Sequence, residues 1–205
     1  MNQLDLIILV VYTITVVLVL QRAIASMNKM STIAFNKDSL QEALKGCNLS
    51  GRLGISFALP GRYPLAEQPK ALTVVIANKL ERAVFVDWDR STFTDARGRS
   101  RRVIRLSPYK DSEMSISSQV FSPIPPGQVI QETITAEDAL VKDGSGLKPK
   151  KPLVSVKKLE EGETIGFSLW LVLRLQETEE LDDRTCILPC EFIVQRCPWT
   201  DSLPF

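Results

Sequence analysis

Apolar and polar residues alternate through most of the chain, with the period of two that is typical of β-strands with one buried face. The apolar positions of this pattern are Leu53, Ile55, Phe57 and Leu59; Leu72, Val74 and Ile76; Val84, Val86 and Trp88; Ile165, Phe167, Leu169, Leu171, Leu173 and Leu175; and Cys186, Leu188, Cys190, Phe192 and Val194. The acidic stretch 177–183 is predicted to be the turn that joins the last two strands. Short alternating strands separated by Pro and Gly predict a mainly β chain that folds as an immunoglobulin-like β-sandwich.

Three other segments lack this alternation. Residues 27–36 are polar and mixed, and they are predicted to be a linker. Ser39 and Glu42 have the spacing of a capping box and Gly46 follows, which predicts a short helix of at most about two turns. Residues 143–152 combine glycine, lysine and proline, and they predict a flexible insertion.

The beginning of the chain is an unbroken apolar run between Asp5 and Arg22. In a helix these two charges lie about 25 Å apart, so both can reach the interfaces of a hydrocarbon core about 30 Å thick by snorkelling. The run therefore predicts a retained transmembrane helix. The residues assigned to the membrane anchor are Leu6, Ile7, Ile8, Leu9, Val10, Val11, Val16, Val17, Leu18, Val19 and Leu20.

The alternative for this segment is a cleaved signal peptide, with Ala23-Ile24-Ala25 as the cleavage site. The residues before the run include no Lys or Arg, and Arg22 directly precedes the supposed site, which favours the retained helix. Arg22, Lys29 and Lys37 follow the run. By the positive-inside rule they predict that the bulk of the chain lies on the cytoplasmic side, with the exported side as the alternative.

These patterns divide the 205 residues into a transmembrane helix (1–26), a linker with a short helix (27–50) and a β-sandwich domain (51–205). The chain has no histidine, so it has neither the usual general base at neutral pH nor the commonest metal ligand. It also has no nucleophile elbow, phosphate-binding glycine loop or dinucleotide fingerprint. We therefore expect no enzymatic activity, no cofactor and no metal site.

The stretch from residue 86 to residue 103, VDWDRSTFTDARGRSRRV, is the first candidate for chemistry because it contains three aspartates. Asp87, Asp89 and Ser91 fit the first, third and fifth positions of an EF-hand-like loop. Thr92 and Gly98, however, stand where such a loop needs Gly and Glu. As a catalytic pair, the two carboxylates would need a partly closed site, and their strand face is expected to be wet. Neither calcium binding nor catalysis is favoured.

A structural interpretation explains more of this stretch. Asp95 and Gly98 hold the first and fourth positions of a type I turn, in which the carboxylate caps the backbone and Gly takes the positive φ of a bulged hairpin. Trp88 is expected to be buried in the core. Asp87 and Asp89 are expected to face solvent and to pair with neighbouring arginines.

A cluster of basic residues occupies the same hairpin. As a binding surface it would contact anionic lipid headgroups or an acidic partner, whereas as scaffold it would keep an edge hairpin from pairing with another sheet. No aromatic residues are interleaved with the arginines to stack on bases, so nucleic acid is not an expected partner. The cluster consists of Arg97, Arg99, Arg101, Arg102 and Arg105.

The chain contains four cysteines. Only Cys186 and Cys190 approach the spacing of a zinc-binding pair, and both belong to the inward face of a strand, where free Cys behaves as a small apolar residue. Cys197 has the opposite phase. Buried or unpaired thiols are the favoured interpretation for these residues and Cys47. A disulfide is the alternative, favoured if the domain is exported, and zinc is the third.

A longer pattern extends from β-strand residues on either side of the arginine-rich hairpin and consists of Asn78, the segment 86–91, Phe93, Asp95, Gly98, Ser100, Val103 and the segment 124–127. It resembles a pattern in uncharacterised membrane-anchored bacterial β-sandwich proteins of immunoglobulin-like type. It implies a non-enzymatic envelope domain and supplies no catalytic residues. The chain departs from the lipid-modified cysteine of those proteins because it has an apolar helix as its anchor.

Together these patterns predict a single-pass integral membrane protein that presents a non-catalytic β-sandwich as an accessory or assembly subunit of a membrane protein complex. One alternative is a peripheral sensor of anionic lipid headgroups that acts through the arginine-rich hairpin. The other is a thiol-based redox or metal protein.

Overall fold

The computed structural model describes residues 3–27, 30–64, 68–106, 119, 121–143, 146–156, 159–160, 162–175 and 184–196. Its helices are α1 (Gln3–Met27), α2 (Lys37–Gly46) and a 3-10 helix (Glu137–Ala139). Its strands are β1 (Met30–Asn36), β2 (Leu53–Ala58), β3 (Tyr63–Pro64), β4 (Leu72–Asn78), β5 (Val84–Thr94), β6 (Ser100–Leu106), β7 (Ser122–Ile124), β8 (Val129–Ala136), β9 (Leu140–Asp143), β10 (Gly146–Pro149), β11 (Thr164–Leu175) and β12 (Arg184–Arg196).

Ten of these strands form one sheet in the order β2-β4-β8-β6-β5-β11-β12-β1-β3, with β7 beside β5. The strands β9 and β10 form a separate hairpin. All described pairings are antiparallel. The prediction of a mainly β chain with one N-terminal apolar helix is confirmed.

The sheet curls into a half-barrel, and the predicted immunoglobulin-like sandwich is not confirmed. Strand β6 connects the two parts of the sheet, since its first residues pair with β5 and its later residues with β8. The curl brings distant strands together: the ring of Phe57 on β2 lies 4.9 Å from Phe35 on β1 and 4.8 Å from Phe192 on β12, between centroids. A period of two is the same for one curled sheet and for two stacked sheets, so the alternation did not distinguish them.

The concave face of the sheet encloses a single core cluster. The predicted phases of the alternating strands are confirmed, because Val74, Ile76, Leu169, Leu171 and Leu173 are completely buried. Burial of each such side chain stabilises the fold by about 1.5–3 kcal/mol relative to exposure. The positions that remain only partly buried are Ile55, Phe57, Leu59 and Ile165.

Helix α2 begins earlier than the capping box predicted. Asn36 is the N-cap, and its side-chain oxygen accepts hydrogen bonds from the backbone N–H groups of Asp38 at 3.1 Å and Ser39 at 3.3 Å. The helix therefore has ten residues, and Leu40 and Leu44, four residues apart, are buried in the core. The predicted cap at Ser39 was wrong because the preceding strand ends in a residue that caps equally well.

Strand β1 occupies most of the segment that was predicted to be a linker. It pairs with β12 over six residues and with β3 at its start. Ser31 and Ile33 are buried, so the polar composition of the segment concealed an alternating strand. As a result, only Asn28 and Lys29 separate helix α1 from the sheet.

Part of the predicted flexible insertion is an ordered hairpin formed by β9 and β10. The carboxylate of Asp143 pairs with Lys148 at 3.3 Å and with Lys150 at 3.4 Å. The backbone N–H of Lys150 also donates to the carbonyl of Ala139 at 3.0 Å. The predicted acidic turn at residues 177–183 lies outside the described residues.

Helix α1 is long and apolar enough to cross a membrane over Asp5–Ala23. Its described side chains are exposed around the whole circumference, and none of them is covered by the sheet. The hydroxyl groups of Thr13 and Thr15 donate to backbone carbonyls one turn earlier in the helix, both at 2.8 Å. These polar groups are therefore satisfied within the helix, as hydrocarbon surroundings require.

Candidate functional site

The aspartate stretch forms a bulge in β5. On the neighbouring strand β11, Trp170 is paired with Thr92 and Val172 with Asp87, so β5 contains extra residues between these pairs. The hydroxyl of Ser91 stabilises the bulge: it donates to the carbonyl of Asp87 at 2.6 Å and accepts from the backbone N–H of Val172 at 3.0 Å. Ser91 therefore has a structural role, and not the metal-ligating role that an EF-hand-like loop would give it.

Asp87 is buried, so the prediction that it faces solvent was wrong. Its pairing with an arginine is confirmed, since its carboxylate accepts hydrogen bonds from Nε and Nη2 of Arg174 at 3.1 and 2.8 Å. The other carboxylate oxygen accepts the backbone N–H of Arg90 at 3.1 Å. The Phe121 ring lies 4.5 Å from the Arg174 guanidinium carbon and helps to cover the ion pair. Asp87 thus links β5 to β11, and both of its carboxylate oxygens accept hydrogen bonds.

Asp89 is also paired as predicted, and its side chain is 31% exposed. It accepts hydrogen bonds from Arg102 and from the backbone N–H of Gln119 at 3.0 Å. Partial burial tends to raise the pKa of Asp89, but the hydrogen bonds from Arg102 and Gln119 and the charge of Arg102 outweigh it and lower this pKa. Asp89 is thus kept ionised as a structural partner.

The lowered pKa of Asp89 predicts a pH dependence of stability. A carboxyl group with a depressed pKa in the folded state stabilises the fold above its unfolded-state pKa of about 3.9, and this stabilisation is lost as the pH falls through the folded-state value. We expect the Asp89→Asn variant to show a smaller loss of unfolding free energy than the wild type below about pH 4. Denaturant unfolding of both proteins between pH 6 and pH 2.5, roughly the range that spans this titration, measures the difference. Parallel curves for the two proteins would contradict the assignment.

The turn predicted at Asp95 is confirmed. The Gly98 N–H donates to the Asp95 carbonyl at 2.9 Å, and the Asp95 carboxylate accepts the N–H groups of Arg97 at 2.9 Å and Arg99 at 3.1 Å. Gly98 has a φ of +76°, the conformation that a side chain would strain. This part of the stretch is a capped, bulged hairpin.

Asn78 also belongs to the residues that carry the family resemblance, and its side chain forms hydrogen bonds with two different loops. Its side-chain amide donates to the carbonyls of Arg82 at 2.8 Å, Ile124 at 2.8 Å and Pro125 at 3.2 Å. Its oxygen accepts the backbone N–H of Leu80 at 3.0 Å. Asn78 therefore connects the turn between β4 and β5 to the end of β7.

The five arginines of the basic cluster have different environments. The Arg101 side chain is only 8% exposed, and it pairs with Asp138 and donates to a backbone carbonyl. Arg102 pairs with Asp89, and Arg105 pairs with Glu132. By contrast, Arg97 is exposed and the Arg99 side chain is 64% exposed, although Arg99 also pairs with Asp138. Only Arg97 and Arg99 therefore present their charge to solvent as a binding surface would need.

Two of the cysteines form a disulfide, Cys47–Cys186. The favoured prediction of unpaired thiols was wrong for this pair, because the packing of α2 on β12 brings together residues 139 positions apart. Cys190 is a buried free thiol as predicted, and burial raises its pKa to about 12, so it is not a nucleophile at neutral pH. Cys197 lies outside the described residues. In the described part of the chain, no three His, Cys, Asp or Glu side chains form a group suited to a metal ion.

The convex face of β11 and β12 carries an apolar surface that the sequence analysis missed. Trp170, Ile187 and Ile193 are 42%, 54% and 44% exposed. Trp170 is paired across the strands with Pro189. These four residues, here called the outer strip, share the outward phase of β11 and β12, with Glu191 between Pro189 and Ile193. These residues occupy outward positions of the strands, where polar residues are usual. The sequence therefore contained a signal for this surface.

Between the members of the outer strip, the sheet forms a shallow groove. Gly166 is paired with Ile193 and Ser168 with Glu191, so the side chains across from β12 are absent or small. The Glu191 carboxylate accepts a hydrogen bond from the Asn36 amide at 3.0 Å. The groove thus has Ile193 on one side and polar residues around it, among them Thr94, Asp95, Ser168 and Glu191.

Comparison with known proteins adds one distant likeness. No family model matches the chain, and no curated protein matches it. Among solved structures, the chain is similar to the X-ray structure of a Northeast Structural Genomics Consortium target, with 13% identity over 78% of this chain and 84% of that one, and a TM-score of 0.30. A likeness at this level carries no argument about fold or function, so the argument for function comes from the surfaces described above.

Proposed function

We propose that this chain is a single-pass membrane protein whose half-barrel is a non-catalytic accessory or assembly subunit of a membrane protein complex. The observation that carries the proposal is the outer strip, a row of large exposed apolar side chains on a domain attached to an exposed apolar helix. The proposed partner is a membrane-anchored protein that presents an apolar surface outside the bilayer.

The properties of helix α1 support the tether. A helix that is apolar on every side is stable only where all its faces are removed from water. The described half-barrel covers none of the helix, so its apolar residues, such as Ile8 at 62% exposure, need another environment. The apolar span has 19 residues, close to the roughly 20 that cross a hydrocarbon core.

The properties of the outer strip support a protein partner. Monomeric proteins rarely leave contiguous large apolar side chains exposed, and such rows are typical of binding surfaces with Trp among the anchors. A tether confines the domain to the layer next to the bilayer, which raises its effective concentration toward other proteins of the same membrane. Together these two features favour a partner in that membrane over a soluble one.

The disulfide supports the exported side of the membrane for the domain. Disulfides persist in oxidising compartments and are rare in the cytosol. The opposing argument is the positive charge of Arg22, Lys29 and Lys37, but Lys37 belongs to helix α2 of the folded domain. Arg22 lies at the end of the apolar span and Lys29 between the span and the sheet, so the charge bias is small and the disulfide is the stronger indication.

Substitutions in the outer strip test the proposal. We expect full-length protein extracted in mild detergent to elute with a larger assembly, and the Trp170→Thr/Ile187→Thr variant to lose it. Removal of two central apolar anchors is expected to weaken association by at least about 30-fold, since one such anchor alone contributes about 2 kcal/mol or more. The measurement is size-exclusion chromatography with mass spectrometry of the assembly.

The matched control is Val129→Thr, which removes an apolar side chain of 59% exposure on β8, outside the outer strip. It should leave the assembly intact. The proposal fails if wild-type protein elutes only as a monomer, or if the strip variant stays in the assembly as well as the control does.

A further inference from the structure

The connection between α1 and β1 determines which end of the half-barrel is close to the membrane. Met27 ends the helix and Met30 begins the strand, so at about 3.3–3.6 Å per residue their Cα atoms lie within about 11 Å. The helix continues about one turn, roughly 6 Å, past the apolar span. Since the headgroup layer extends several Å beyond the hydrocarbon core, the end of the sheet where β1 begins lies at or next to the headgroups. We refer to it as the anchor end.

Strand polarity shows which other elements lie at the anchor end. Because neighbouring strands are antiparallel, β12 ends there, β11 begins there and β5 ends there. The hairpin from β5 to β6, which contains Arg97 and Arg99, therefore projects from the anchor end. On the other side of the sheet, β4 begins at this end, and Lys70 lies just before it.

The segment between β10 and β11 closes the anchor end. The Leu153 N–H donates to the carbonyl of Pro69 before β4 at 2.9 Å, and Arg196 at the end of β12 donates to the Leu159 carbonyl at 3.4 Å. Leu153, Val156 and Leu159 are buried, so the segment packs under the core. Lys150 and Lys151 directly precede it, and both backbone N–H groups donate to one carbonyl of the 3-10 helix.

Basic side chains are therefore concentrated on one part of the anchor end. Arg99 and Arg101 form ion pairs with Asp138, and Lys148 and Lys150 form ion pairs with Asp143. Exposed carboxylates are also present at this end, namely Glu137 in the 3-10 helix and Glu160 and Glu163 before β11. The exposed basic side chains of this surface, here called the basic rim, are Lys70, Arg97, Arg99, Lys142, Lys148, Lys150 and Lys151.

We infer that the basic rim contacts the anionic phospholipid headgroups of the membrane that helix α1 crosses. The inference rests on the proposed tether, because the two-residue connection is what holds the rim near the headgroups. Lysine and arginine side chains within a Debye length of an anionic surface are attracted to it, and their long stems can reach the phosphates. The contact would fix the orientation of the half-barrel and leave the outer strip facing sideways along the membrane.

Lysine labelling of the full-length chain in nanodiscs tests this inference. The discs contain either phosphatidylcholine alone or phosphatidylcholine with phosphatidylglycerol, and a neutral amine-reactive reagent reports the reactivity of each lysine by mass spectrometry. We expect Lys70, Lys142 and Lys151 to react about threefold more slowly in the anionic discs, because an anionic surface attracts and protonates amines. Lys45 and Lys79, at the opposite end of the sheet, should react equally in both discs.

Charge-reversal variants provide a second test of the contact between the basic rim and the lipid. Lys150→Glu/Lys151→Glu should return Lys70 to the reactivity seen in neutral discs, whereas the matched reversal Lys45→Glu/Lys79→Glu should leave Lys70 protected. Equal reactivity of Lys70 in both lipids, or the same effect from both reversals, would overturn the inference. Failure of the chain to remain in the discs would instead contradict the tether, so the two failures are distinguishable.

Discussion

Replacing Cys47 and Cys186 by Ser is expected to lower the free energy of unfolding of the domain by about 2–5 kcal/mol. The disulfide joins residues 139 positions apart, and a cross-link that closes so long a loop removes much conformational entropy from the unfolded chain. It also fixes helix α2 against β12. Guanidinium unfolding of the full-length chain in detergent, followed by circular dichroism, measures the loss.

Chemical reduction provides the control for this prediction. A phosphine reductant should destabilise the wild type by the same amount and should have no effect on the Cys47→Ser/Cys186→Ser variant. Wild type and variant with equal stability without reductant would show that the bond is not formed. Alkylation of intact cells before lysis also tests the proposed side of the membrane: modified Cys47 and Cys186 would place the domain in a reducing compartment.

The sequence predicted those parts of the fold that depend on neighbouring residues. The phase of each long strand, the burial of Trp88 and the turn at Asp95 follow from the period of two and from local turn chemistry. These features involve contacts over a few positions. They are therefore visible in a single sequence without knowledge of the rest of the chain.

The features that the sequence did not predict depend on distant pairs. Asp87 is buried because Arg174, 87 positions away on β11, meets it on the convex face and Phe121 covers the pair. The half-barrel also depends on contacts between strands far apart in the chain, such as that between Phe57 and Phe192. Alternation specifies which side chains point inward, but not which strands meet.

The candidate binding surfaces likewise depend partly on neighbouring residues and partly on residues far apart in the chain. The arginine cluster was visible as a run of charges, but the partners of Arg101, Arg102 and Arg105 come from other elements. Three of the lysines that join Arg97 in the basic rim, Lys148, Lys150 and Lys151, come from a segment predicted to be a flexible insertion. The outer strip could have been predicted from the sequence, because Trp170 and Ile187 are apolar residues at outward positions, where polar residues are usual. A departure from the pattern therefore identified a candidate binding surface that the pattern itself did not.

The second large effect is expected from Trp88→Ala, which should lower the free energy of unfolding by about 3–5 kcal/mol. Trp88 is completely buried, and its indole N–H donates to the Ser122 hydroxyl at 2.9 Å. The substitution would leave a large cavity in the core and remove a buried hydrogen bond between β5 and β7. Guanidinium unfolding of the full-length chain, monitored by circular dichroism, gives the difference.

Two further variants separate the contributions of volume and hydrogen bonding at this site. Trp88→Phe keeps most of the apolar volume but removes the donor to Ser122, and we expect a loss of about 1–3 kcal/mol. The control Trp170→Phe changes the same residue type at an exposed position of the outer strip, where a surface substitution should alter stability by less than about 0.5 kcal/mol. If Trp88→Ala unfolded at the same denaturant concentration as Trp170→Phe, the core would not be organised around Trp88. A large loss in Trp88→Ala with an intermediate one in Trp88→Phe would show that both the volume of the indole and its hydrogen bond to Ser122 stabilise the fold.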